Sequence, residues 1–155
     1  MHTIKRGLDL PISGTPVQSI EDGPAVSRVA LLGADFVGLR PTMLVQPGDT
    51  VLRGQPLLDD KKTPGVRHTA PAAGRVLAVN RGDKRAFVSL VIEVAADDGP
   101  ERQVAFASWN GAPPAEGDGA GLRALLLESG LWTAFRTRPF SRVPAPEAVP
   151  QAVFV

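Results

Sequence analysis

The chain has 155 residues, of which 16 are Gly and 15 are Pro, while 43% are apolar. That much helix-breaking excludes a coiled coil, and that much apolar surface excludes a disordered tail. Seventeen Lys and Arg against sixteen Asp and Glu leave a formal charge of +1, without the basic excess of a general nucleic-acid binder, and the lack of Cys rules out disulfides, thiolate catalysis and thiolate-held clusters.

The N-terminal stretch from Met1 to Pro11 lacks the apolar core of about 7–15 residues that a signal peptide needs. No run in the chain approaches the ~18 apolar residues of a membrane span. A cytosolic chain is expected, with any membrane attachment made through a partner. Ser27 to Leu32 is a β-branched and aliphatic run, Met43 to Val45 and Gln55 to Leu58 flank a Pro-Gly-Asp turn, and Gly74 to Val79 and Phe87 to Val94 have strand composition. No segment before Asp97 is long and Pro-free enough for a helix, so residues 1–109 are expected to form a compact, mainly β unit.

Within that unit, Val45-Gln46-Pro47-Gly48-Asp49 is echoed by Val79-Asn80-Arg81-Gly82-Asp83. Glycine can take the positive φ of a tight turn, the aspartate can accept from its amides, and the valine can fill the core. Two readings are open: Gly48 and Gly82 mark equivalent turns in two halves related by a pseudo-twofold axis, or the echo is chance, since Gly-Asp turns are common. A helical repeat array is excluded by Pro47, Pro56, Pro64 and Pro71, which fall where its helices would be.

After the polar turn at Asp97 to Glu101, Gln103 to Trp109 reads as one more strand, and Asn110 to Gly121 reads as an exposed loop. Leu122, Leu125, Leu126 and Leu127 ahead of Gly130 predict a short helix with a glycine stop. Leu131 to Arg142 is rich in Trp, Phe and Arg and completes a segment 110–143. Pro144, Pro146 and Pro150 mark residues 144–155 as a connector. Ala152-Val153-Phe154-Val155 reads as the start of a buried strand that has no sheet to enter, so the chain is expected to be the N-terminal piece of a longer protein.

Gly48-Asp49-x-Val51-x-x-Gly54-Gln55-x-Leu57, followed by Thr69-Ala70-Pro71-Ala72-Ala73-Gly74-x-Val76, resembles the core pattern of biotinyl and lipoyl carrier domains. The resemblance implies a barrel-sandwich hybrid. Carrier domains present a modified lysine at a hairpin tip in a Met-Lys-Met or Asp-Lys-Ala setting. Lys61-Lys62-Thr63-Pro64-Gly65 has neither, so the swinging-arm role does not follow.

Four further stretches resemble the A subunit of sodium-translocating NADH:quinone oxidoreductases. They are Lys5-Arg6-Gly7-Leu8-Asp9-Leu10-Pro11-Ile12-x-Gly14, Val29-Ala30-Leu31-Leu32-Gly33, Asp59-Asp60-Lys61-Lys62-x-Pro64-Gly65, and Ser129-Gly130-Leu131-Trp132-Thr133-Ala134-x-Arg136-Thr137-Arg138-Pro139-Phe140-Ser141. The last is highly specific. The resemblance implies a peripheral subunit on the cytoplasmic face of the bacterial inner membrane, docked on other subunits that hold the flavins and iron-sulfur centres, with no redox centre of its own and with contact to ubiquinone in the full complex. It also implies a longer chain, with a Rossmann-like region after the connector. A purely structural docking module and a biotin or lipoyl carrier are the competing readings.

No catalytic, cofactor-binding or metal site is expected. His2 and His68 are the only histidines, too few for a metal centre without thiolates, and His68 reads as a surface or hairpin residue. There is no Gly-x-Ser-x-Gly, and Gly111 to Gly121 lacks the spacing of a dinucleotide loop. Asp59, Asp60, Lys61 and Lys62 are either a solvated hairpin tip or a docking element, with Lys61 and Lys62 its candidate contacts. Trp132, Phe135, Arg136, Arg138, Phe140 and Arg142 admit two readings as well: anchors for a partner subunit, or aromatics packed on the β unit with guanidiniums in water.

Overall fold

The structure, a computed structural model, describes residues 13–97 and 99–154 together with Gly7. Most of the motif from Lys5 to Ile12 lies outside the described residues, as does Val155. The described residues form seven strands: β1 (Arg28–Leu32), β2 (Pro41–Met43), β3 (Thr50–Val51), β4 (Pro56–Asp60), β5 (Arg67–Thr69), β6 (Gly74–Arg81) and β7 (Phe87–Val94). One α-helix, α1 (Gly119–Glu128), follows them. The mainly β architecture with one short helix is the one expected.

One antiparallel sheet has the order β1-β7-β6-β3 and the other β2-β4-β5. In β1, Val29 and Leu31 are half-buried while Arg28, Ala30 and Leu32 face water, the period of two of a strand with one covered face. The core joins both sheets through Val51, Leu57, Ala70, Val76, Leu90 and Ile92, with Met43, Val45, Val79 and Phe87 packed around them. Val76 and Val79 would point to opposite faces of a regular strand. A register shift between Val76 and Ala78 lets both serve the core.

The two motifs shared with carrier domains are stitched to each other by main-chain hydrogen bonds. Gly48 N donates to Val76 O and Val76 N to Asp49 O, both at 2.8 Å, while Gly54 N donates to Ala70 O at 2.8 Å and Ala70 N to Gln55 O at 2.9 Å. Polar side chains close the turns, since Asp49 accepts from Gln46 N at 2.9 Å and Gln55 Oε1 accepts from Leu52 N at 3.0 Å. Ala70, Ala72 and Ala73 are buried, so small residues are what let these segments lie close.

Two expectations need correction. Gly48 has φ +100°, but Gly82 is extended at φ −99°, and the left-handed backbone of its turn falls on Lys84 and Arg85 instead. The two glycines therefore do not occupy equivalent turns. Gln103 to Trp109 forms no strand: after one bridge between Arg53 and Gln103, the amides of Ala107 and Ser108 donate to the Glu128 carboxylate, each at 2.8 Å, instead of to a neighbouring strand. Ala152 to Phe154 are exposed and pair with no strand of the described residues, in keeping with a run that has no sheet to enter.

Candidate functional site

The Arg- and aromatic-rich segment begins where α1 ends. Asp118 caps the helix by accepting from Gly121 N at 2.8 Å. Gly130 then takes φ +80°, and a Cβ there would meet Thr69 Oγ1 at 2.5 Å, so this stop needs glycine both for its backbone and for its contact with β5. Thr69 Oγ1 donates to Ser129 O at 2.9 Å, which ties the helix end to the sheet. A single 3-10 turn, Leu131–Ala134, leads on to the cis Arg138–Pro139 bond.

Trp132 and Arg136 are used inside the molecule. Trp132 is 8% exposed; its indole donates to Pro144 O at 2.9 Å, Phe135 meets it edge-on and Arg123 lies over its ring. Arg123 also donates to Pro146 O, so the start of the connector is bound to the helix. Arg136 donates to Thr133 O, to Phe135 O at 3.1 Å and to Asp35 O at 3.3 Å, and lies over Phe36. Trp132 is packed within the molecule, and the Arg136 guanidinium is bound to protein carbonyls instead of lying in water.

Arg138, Phe140 and Arg142 are exposed, with Phe140 69% accessible and the Arg142 guanidinium stacked over its ring. Arg142 also borders a cavity of about 210 Å³ that Phe36, Asp60, Lys62 and His68 line. The structure thus brings Lys62 and Arg142 to one site. Lys61 opens onto a separate concavity.

Two polar residues of this region are not surface groups. Asp60 is buried and accepts from Arg40 N and Lys62 N, both at 3.0 Å, and from Thr63 Oγ1 at 3.2 Å. It organises the hairpin tip, whereas Asp59 stays half-exposed beside Arg67. His68 is 3% exposed, against the expectation of a surface histidine, because β5 turns it inward onto the edge of Phe36. Desolvation lowers its pKa to about 4, with Asp60 opposing the shift and Arg136 adding to it. The imidazole is therefore neutral at pH 7.

Sequence reasoning missed Phe36 and Asp35 as partners of this segment and Glu128 as the partner of Ala107 and Ser108. Each acts through a contact distant in the chain, and none has a local signature. Glu128 is held below the usual carboxylate range by Ser108, through its hydroxyl and then its amide, with Ala107 N adding to the effect. Among the described residues no three His, Asp or Glu groups converge as metal ligands, and no helix is long and apolar enough to cross a membrane.

A family model described as the NqrA N-terminal barrel-sandwich hybrid domain matches residues 2–95, and one described as the NqrA second alpha/beta domain matches residues 117–155. Along all 155 residues the chain is similar to the A subunit of the Na(+)-translocating NADH-quinone reductase from Serratia proteamaculans, at 54% identity, and to that from Vibrio anguillarum, at 56%. The counterpart from Actinobacillus pleuropneumoniae is 52% identical over the same span. The chain covers 34% of the length of each of these relatives. A barrel-sandwich core with a family match across most of its length decides the assignment: the chain belongs to the family of the NqrA N-terminal barrel-sandwich hybrid domain.

Proposed function

We propose that this chain is the N-terminal portion of the peripheral A subunit of a sodium-translocating NADH:ubiquinone oxidoreductase, on the cytoplasmic face of the bacterial inner membrane. The observation that carries the reading is identity above one half, over the whole chain, to relatives with that subunit name. In this role the chain holds no redox centre. Electrons pass from NADH to ubiquinone through flavins and iron-sulfur centres on the partner subunits, sodium leaves through the membrane subunits, and this chain meets the membrane only through them.

Its own contribution is docking. Arg138, Phe140 and Arg142 are free to engage a partner because their side chains are exposed, while Trp132 and Arg136 hold the segment that displays them. An exposed ring beside guanidiniums is the composition that subunit interfaces favour. Contact with ubiquinone in the full complex belongs to the same proposal.

The test is made in the full-length protein within its complex. Phe140→Ala with Arg142→Ala is expected to lower the yield of assembled complex or its quinone reductase rate, without changing the thermal unfolding of the protein. Unaltered assembly and an unaltered rate would exclude this face as the contact. A complex prepared without this protein that still reduces ubiquinone with sodium export at the full rate would overturn the functional reading itself.

A further inference from the structure

The concavity that Lys61 borders has a volume of about 550 Å³, and its wall is built from four separate parts of the chain. Arg40 stands at the entry to β2, Lys61 at the end of β4, Arg81 at the end of β6, and Lys84 and Arg85 in the β6–β7 turn. All five are exposed, and no carboxylate lines the basin. Among the described residues, Arg40, Lys61, Lys84 and Arg85 have no ion-pair partner. In a chain whose formal charge is +1, five cations around one hollow without a carboxylate are a strong local field.

The turn that supplies two of them has an uncommon backbone. Lys84 at φ 52° and Arg85 at φ 62° both occupy the left-handed region, where Gly or Asn sits more easily. Gly82 N to Ala86 O at 2.9 Å and Arg81 Nη1 to Arg85 O at 3.2 Å brace it. Cations therefore stand at positions where local backbone energetics would select glycine.

Charge names the ligand as anionic, and shape narrows it. A small phosphorylated molecule needs walls that bury most of its surface, whereas every cation here is exposed and the hollow is open. A bilayer surface attracts protruding basic segments, and a plane of headgroups cannot enter a hollow. A protruding peptide can. Leu39 and Phe87 line the same hollow and offer apolar contact to the stem of such a segment, while the three arginines offer planar forks to carboxylates. We propose that this basin docks an acidic, protruding segment of a partner protein, one that presents several Asp or Glu side chains. The basin holds none of Trp132, Arg136, Arg138, Phe140 or Arg142, so this proposal and the docking face described above stand or fall separately.

The test uses the full-length protein with fluorescein-labelled decaglutamate as the probe, followed by anisotropy. Lys61→Gln with Lys84→Gly removes two cations, and the glycine suits the left-handed backbone, so the fold is expected to keep its thermal stability or gain some. Saturable binding is expected, weakening with rising salt and falling about tenfold in this variant. Arg28→Gln with Arg75→Gln, the same charge change on exposed strand positions outside the basin, is expected to leave it unchanged. Equal losses in the two variants would show an effect of net charge and overturn the site, as would the lack of saturable binding. Displacement of the peptide by pyrophosphate at matched charge would reassign the basin to a phosphorylated ligand. Tighter retention on phosphatidylglycerol vesicles than on the peptide would reassign it to the membrane. Either result overturns the proposal.

Discussion

Burial couples the titration of His68 to folding stability, because it separates the pKa of the folded chain from that of the unfolded one. As pH falls below about 6.5 the unfolded chain takes up a proton on this ring, whereas the folded chain resists until about 4. The unfolded state binds more protons across that window, so stability present at neutral pH is lost as acid is added, by roughly 3 kcal/mol once pH 4 is passed. Urea unfolding followed between pH 7 and pH 4 is expected to show this loss in the wild-type chain, in excess of that in His68→Gln, whose side chain does not titrate. Arginines of the same segment divide by their contacts. Arg136→Ala breaks bonds to three carbonyls and is expected to cost about 1–3 kcal/mol. Arg138→Ala, at an exposed site, is expected to stay within about 0.5 kcal/mol. Chemical denaturation of the two single variants separates these outcomes.

Helix α1 and its stop show how an element can be read correctly and still be incompletely understood. The leucines and the glycine that follows them predicted a helix ending at Gly130, and α1 ends two residues earlier with Gly130 in the left-handed region. The close approach to Thr69 was not readable, because it depends on where β5 lies. Gly130→Ala is therefore expected to cost more than the ~1 kcal/mol of an ordinary glycine substitution, since backbone strain and a collision add. The lost melting temperature is the measurement. Against a Thr69→Ala background, which removes the colliding Oγ1 and Cγ2 together with the bond to Ser129 O, Gly130→Ala should cost less than it does in the wild-type chain, and the cost that remains is chiefly backbone strain. The segment Gln103 to Trp109 went the other way: its apolar composition suits a strand, but a carboxylate from the far end of α1 claims two of its amides.

At the scale of the whole molecule, stability rests on the two-sheet core. Leu90 is fully buried at the centre of β7, the strand that pairs with both β1 and β6, so a cavity there cannot be closed by moving an edge. Leu90→Ala is expected to destabilise the chain by about 2–5 kcal/mol, seen as a lower denaturant midpoint with an unchanged slope. The longer strands β1, β4, β6 and β7, the Pro-Gly-Asp turn, the short helix and the family motifs were legible in the sequence, because alternation, Gly-Pro punctuation and Gly-Asp turns act over a few neighbouring residues, whereas β3 and β5, of two and three residues, are too short to leave such a pattern. The echo between Gly48 and Gly82 misled for the same reason. A shared pattern of residue types does not specify φ, and the second turn places its left-handed backbone on Lys84 and Arg85. Which arginines are braces and which are displayed, why a histidine in a hairpin is buried, and how five cations from four parts of the chain come to rim one hollow were decided only by the tertiary structure. Burial and electric field are sums over groups far apart in sequence, and those groups acquire a distance from one another only when the sheets have packed.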